Sequence, residues 1–161
     1  MATISKQKAQ ELLDAYTKQQ TAATEAAIAA YNEKQDAAAA ETQAENREKQ
    51  AAAAEAATAA YDKHLVQQLA DEYRLAEQIA NLGLNRSGTA DAARSAVQRT
   101  RAVADAAARA THRQAVADLQ QSLLTARRRT ESNKASYAAS ARKTLQGKLA
   151  EKKLSLTKMT L

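Results

Sequence analysis

The sequence predicts an all-α protein: a long antiparallel helical hairpin, an alanine-rich coiled coil that assembles into an oligomer. Three observations predict it. Two of the three glycines fall within residues 83–88, in a chain that has no proline. On either side run long stretches of Ala, Gln, Glu, Lys, Arg and Leu, the residues of highest helix propensity. The two stretches also carry opposite charge. Residues 1–82 hold eight Lys/Arg and thirteen Asp/Glu, a net of −5, while residues 83–161 hold sixteen and five, a net of +11.

Taken in order, residues 1–4 form a short lead-in, and Ser5 is placed to cap a first helix over residues 5–82. Leu12, Leu13 and Tyr16 open an apolar stripe. From Tyr16 onward the chain repeats every fifteen residues: Tyr16, Tyr31, Asn46 and Tyr61 open successive blocks, with Gln20, Gln35 and Gln50 in the fifth place. Fifteen residues over four turns exceeds the ~3.6 per turn of a straight helix, which implies a straight or slightly right-handed seam. Large residues at that spacing, among alanines, would fix register by filling gaps between small ones.

The turn spans residues 83–88. Gly83 follows the last apolar positions, Leu75, Ile79 and Leu82, where a left-handed residue closes a helix, and Leu84 would fold back on the final turn. Gly88 completes the turn, and Thr89 is expected as the N-cap of a second helix over residues 89–146, with Asp91 in its first turn. Gly147 interrupts that pattern. Residues 147–161, with Leu149, Leu154, Leu156, Met159 and Leu161, are expected to form a docking tail. It would be either a fraying helix or an extended segment that adds to a neighbour's sheet edge.

Composition bounds what such a chain can do. Its hydrophobic fraction of 45% is mostly alanine, and the 3% aromatic content is five tyrosines. At roughly 25 cal/mol per Å² of apolar surface, alanine methyls contribute little each, so stability must come from helix propensity and long helix–helix contact. There is no cysteine, hence no disulfide framework or zinc–thiolate site. No run of about 18 apolar residues is present to span a membrane. The opening Met-Ala-Thr-Ile-Ser-Lys-Gln-Lys lacks the apolar core of a secretory signal, so no signal-directed secretion is expected.

A hairpin centred on residues 85–86 lays the acidic arm along the basic one. Arg127, Arg128 and Arg129 would fall beside Glu41 and Glu45, and Arg109 and Arg113 near Asp62. Exposed pairs of this kind contribute about 0.2–1 kcal/mol each, so they select register more than they stabilise. The same five arginines are candidates for phosphate contact, because guanidinium groups bind phosphate bidentately. Against nucleic acid, no aromatic residues interleave with them for base stacking.

No constellation of catalytic or cofactor-binding residues stands out, and neither a cofactor nor a metal is expected. In the same register His64 falls near Ala107 and His112 near Ala59, so the two histidines do not face each other. Neither belongs to a His-Glu-x-x-His motif. Gly83 and Gly88 lack the following Lys-Ser/Thr of a phosphate loop. The chain is expected not to be an enzyme.

Residues 75–89, Leu-Ala-Glu-Gln-Ile-Ala-Asn-Leu-Gly-Leu-Asn-Arg-Ser-Gly-Thr, followed by Ala96-Val97-Gln98, resemble a stretch in small uncharacterised proteins of phages and prophages of Gram-positive bacteria. Those proteins share the plan: a Gln/Ala/Tyr-rich helix, a Leu-Gly-Leu-x-x-Ser-Gly turn and a second helix rich in Ala, Gln and Arg. The resemblance implies a virion structural component, made in the bacterial cytoplasm and associated with tail, neck or fibre. Its partners would be copies of itself and other virion proteins. The alternative is a basic coiled-coil module that binds nucleic acid or another anionic polymer.

Overall fold

The structure, a computed structural model, describes residues 5–83 and 88–160. Two helices, α1 (Lys6–Asn81) and α2 (Gly88–Met159), account for nearly all of them and form an antiparallel helical hairpin. No described helix is long and apolar enough to cross a membrane.

The ends of α1 form as the local chemistry dictates. Ser5 caps it: its hydroxyl accepts from the Lys8 amide at 3.3 Å, and its carbonyl accepts from Ala9 at 3.0 Å. At the far end Gly83 adopts φ +67° and donates its amide to the Ala80 carbonyl at 3.1 Å. This is the left-handed closure expected of it. Leu84, with Asn85, Arg86 and Ser87, lies outside the described residues, as do residues 1–4 and Leu161.

Three expectations are corrected in α2. The helix begins at Gly88, so Thr89 lies within its first turn and is not its cap; Asp91 does sit in that turn. Gly88, expected to complete the turn, is instead the first residue of α2, and among the described residues the positive φ belongs to Gly83. Nor does Gly147 end α2, which runs on to Met159. One glycine costs about 1 kcal/mol against alanine in a helix interior, too little to break a helix flanked by Leu, Gln and Lys. Residues 147–159 are thus helix, not an extended tail. Leu156 is buried and Leu149 half-buried, whereas Leu154 and Met159 are exposed.

The faces that the two helices turn inward repeat every eleven residues. On α1 the row is Leu13, Thr24, Gln35, Asn46, Ala57, Gln68 and Ile79, all buried or half-buried. On α2 it is Ala90, Arg101, His112, Leu123, Lys134, Leu145 and Leu156. Eleven residues in three turns is about 3.67 per turn, which keeps a nearly straight helix facing its partner. The fifteen-residue spacing of the tyrosine blocks obeys the same geometry, one turn longer. Tyr16, Tyr31, Asn46 and Tyr61 all lie on the inward face, as do Gln20, Gln35 and Gln50.

The chain divides into two compact units, each an antiparallel pair of helix segments. One joins residues up to Gln43 with those from Leu124 onward; the other is Ala44–Leu123 and contains the turn. In the first, Tyr31 stacks on Tyr137, with ring centroids 4.0 Å apart and planes 9° from parallel. The Lys152 ammonium lies 5.4 Å from the centre of the Tyr16 ring. Both contacts centre the pairing on residue 84, not on 85–86. The change moves every expected partner by two to three positions along the opposite helix.

Candidate functional site

The seam carries three kinds of feature: polar layers, alanine-lined grooves, and charges that point away from it. They are built from the same eleven-residue geometry.

The largest polar layer is in the unit Ala44–Leu123. His64, on the inward face of α1, places Nδ1 2.9 Å from Oδ1 of Asp105. Arg101, one turn before Asp105, sets its Nε 3.4 Å from the other carboxylate oxygen and donates from a terminal nitrogen to Gln68 Oε1 at 2.7 Å. Gln68 in turn donates to Glu72. Asp105 is more covered than either His64 or Arg101, with its side chain 15% exposed, and the Arg101 guanidinium together with the His64 ring nitrogen accounts for a carboxylate being tolerated there. Toward the far end of this unit, Asn46 is buried and donates from Nδ2 to the Leu119 carbonyl at 2.8 Å. Its Oδ1 accepts from Gln50 Nε2 at 2.8 Å.

In the other unit the links are ionic. Lys134 bonds Asp36 across the seam and Glu131 on its own helix at 3.4 Å. The hydrogen bond to Asp36 raises the Lys134 pKa above the ordinary lysine value; partial burial opposes this and Glu131 adds to it. Arg142 meets Glu25 with Nε and a terminal nitrogen, at 3.3 and 3.5 Å, in a forked geometry.

A groove of about 560 Å³ runs along the seam beside His64, walled by alanines such as Ala53, Ala56, Ala104 and Ala107, with Thr111 and His112. His112 Nδ1 is buried there without a hydrogen-bond partner. The two histidines therefore share one groove, which Ala107 also lines, and the polar partner of His64 across the seam is Asp105. A second groove, of about 390 Å³ in the other unit, has Ala23, Ala27 and Ala141 in its walls next to Tyr137.

The arginines singled out in the sequence do not join these layers. Arg109, Arg113, Arg127, Arg128 and Arg129 are all exposed, and none forms an ion pair among the described residues. The reason is rotation: Ala108, His112, Ala126 and Thr130 occupy the inward positions, which turns the intervening arginines outward. Glu45, an expected partner, pairs with Lys49 on its own helix at 3.8 Å. Residues that the sequence reading did not single out, Asp36, Glu25, Asp105, Lys134 and Arg142, carry the cross-seam charge contacts. The opposed arm charges signalled such pairing, but not which residues would share a level.

Chemically, these layers are suited to holding two helices in register. His64 with Asp105 is a base and its orienting carboxylate, yet the hydroxyl nearest in the groove, Thr111, donates back to the Ala107 carbonyl at 3.1 Å. No group of three or more His, Asp or Glu among the described residues could hold a metal ion. No family model, curated protein or solved structure matches the chain.

Proposed function

We propose that this chain is a non-enzymatic structural protein that assembles with copies of itself and with other structural proteins. We place it as a helical component of the tail, neck or fibre of a bacteriophage virion. One observation carries the assembly reading: many of the larger apolar side chains are outside. The described core is Ala9, Ile28, Ala57, Ile79, Ala90 and Leu156, and no side chain is fully buried. Val66, Leu69, Tyr73, Val103 and Leu154 stand exposed. Burial of such side chains is worth about 1.5–3 kcal/mol each, and a surface from another molecule would supply it. The virion rests on the likeness of residues 75–98 to phage and prophage proteins.

Two experiments test this. Sedimentation at micromolar concentration should give an oligomer; a well-folded monomer with a cooperative thermal transition contradicts assembly. Mass spectrometry of purified phage particles from a host that carries the gene should find the chain in the particle, and its absence contradicts the virion placement.

A second reading is favoured by one feature, the five exposed and unpaired arginines of α2. They suit phosphates, so the alternative is a basic module for nucleic acid or another anionic polymer. Affinity for DNA or RNA that falls steeply with salt supports it; an oligomer that ignores both salt and nucleic acid supports assembly.

A further inference from the structure

Within the unit Ala44–Leu123, an apolar ridge and an alanine groove lie on opposite sides of the helix pair. The ridge is Leu65, Val66, Leu69 and Tyr73 on α1, which are 39, 67, 56 and 68% exposed. Leu65 and Leu69 each follow an inward residue, His64 and Gln68, by one position. In a helix of ~3.6 residues per turn, that sets them about 100° to one side of the seam. Ala56 precedes the inward Ala57 by one position, and on α2 Ala107 and Thr111 precede Ala108 and His112 in the same way. Because the helices are antiparallel, these preceding positions open on a single common side, and the ridge stands on the other.

Charge repeats the pairing. Asp62 follows the inward Tyr61, and Lys63 precedes the inward His64, so these neighbours in sequence face opposite sides. On α2, Arg109 and Arg113 follow inward residues, while Asp118 precedes the inward Leu119. None of the five forms an ion pair among the described residues. The ridge side thus shows an acid on α1 and bases on α2; the groove side shows a base on α1 and an acid on α2. For these five residues the two sides are opposite in sign, whereas Glu45 and Arg47, at the far end of the unit, and Asp91, beside the turn, carry the reverse signs.

We infer that the occupant of the groove is the ridge of a second copy of this chain. The proposal rests on the assembly reading above and specifies its contact. Leu65 to Tyr73 spans about 12 Å along the axis, and the groove from Ala53 to His64 about 16 Å, so the ridge fits lengthwise. The four ridge residues expose on the order of 450 Å², the size of patch that marks an interaction site. Each copy uses two different surfaces, and after one contact both an unfilled groove and an uncovered ridge remain. Such a contact is head-to-tail, so copies add in a ring or a filament and do not stop at a two-fold dimer.

The test uses the full chain in sedimentation velocity and native mass spectrometry. Leu69→Glu spoils the ridge and Ala107→Arg fills the groove. Both positions are exposed, and circular dichroism at 222 nm checks that each variant stays helical. The wild type should associate with rising concentration, and each variant alone should associate about tenfold more weakly or remain a monomer. Mixed together, the two should form a 1:1 pair and nothing larger, because each keeps the surface that the other has lost. Tyr73→Ser repeats the ridge test without adding charge. Wild-type association that both variants retain, or a mixture that gives no pair, overturns the ridge–groove contact and leaves assembly standing. A wild type that stays monomeric at tens of micromolar overturns both.

Discussion

Asn46 is buried in the seam and donates its side-chain amide to the main-chain carbonyl of Leu119, 73 residues away in sequence, at 2.8 Å. A buried amide in the seam has one strong requirement, a partner at a fixed level, because burying it unsatisfied costs about 1–3 kcal/mol. Alanine methyls have no such requirement. A slip of one turn along a row of alanines costs little, and the same slip at Asn46 strands a polar group. The bond therefore acts on register more than on total stability.

Asn46→Leu should accordingly leave the melting temperature unchanged or raise it, while it loosens register. The measurement is disulfide formation between paired cysteines. With Asn46 in place, Ala60→Cys with Ala108→Cys should close, since both face the seam at one level. Ala60→Cys with Ala104→Cys, about 6 Å off along the axis, should not. Leucine at 46 should let the second pair close measurably; an unchanged pattern means that register is held elsewhere.

Tyr31 and Tyr137 form a stacked aromatic pair in the seam. Aromatic pairs are worth about 0.5–1.5 kcal/mol beyond the area they bury. A double-mutant cycle with Tyr31→Ala and Tyr137→Ala, read by urea denaturation, should give a coupling energy of about 1 kcal/mol. A coupling near zero would mean that the rings only fill space.

What was legible in the sequence was what local chemistry decides. Ser5 and Gly83 have the chemistry of a helix start and a helix stop, and each does that in the structure. Spacing near 3.7 residues per turn keeps the tyrosine blocks on one face, and that face is the covered one. Register was not legible. Arg127 and Glu41 stand level with one another, yet a helix turns by about 100° per residue, and with Ala126 and Thr130 facing inward both charges are carried from seam to solvent. Which residues share a level is decided by a few bulky or polar groups across the seam, Tyr137 and Asp105 among them, and neither stands out from its own stretch of α2. Gly147 misled for a related reason: a glycine with helix formers on both sides reads as a break, but its penalty is small beside the sum of its neighbours.

Gly147 and Gly83 should respond oppositely to alanine. Gly147 lies inside α2, and a methyl group there would meet nothing within 4 Å. Gly147→Ala should stabilise by about 1 kcal/mol through helix propensity and lost freedom of the unfolded chain. Gly83 also has open space around it, but at φ +67°. Gly83→Ala should therefore destabilise by about 1 kcal/mol, because an L side chain is strained in that region. Chemical denaturation of the two variants checks both signs.

The last prediction concerns alkaline pH. Lys134 sits between Asp36 across the seam and Glu131 on its own helix, and the bond to Asp36 is the main cause that raises its pKa above the ordinary value of about 10.5. A lysine whose pKa is higher folded than unfolded binds its proton more tightly in the native state. Its contribution is fully present below the unfolded pKa and is lost as pH rises through the folded one. The window therefore opens above about pH 10.5, and no change is expected from this group near neutrality. Thermal melts between pH 9 and 12 should show the wild type losing stability across the upper half of that range. Lys134→Met, which keeps the apolar stem, should flatten part of the slope, and Asp36→Asn should do the same from the other side. Equal alkaline slopes in all three proteins would show that the Asp36 contact does not hold the proton on Lys134.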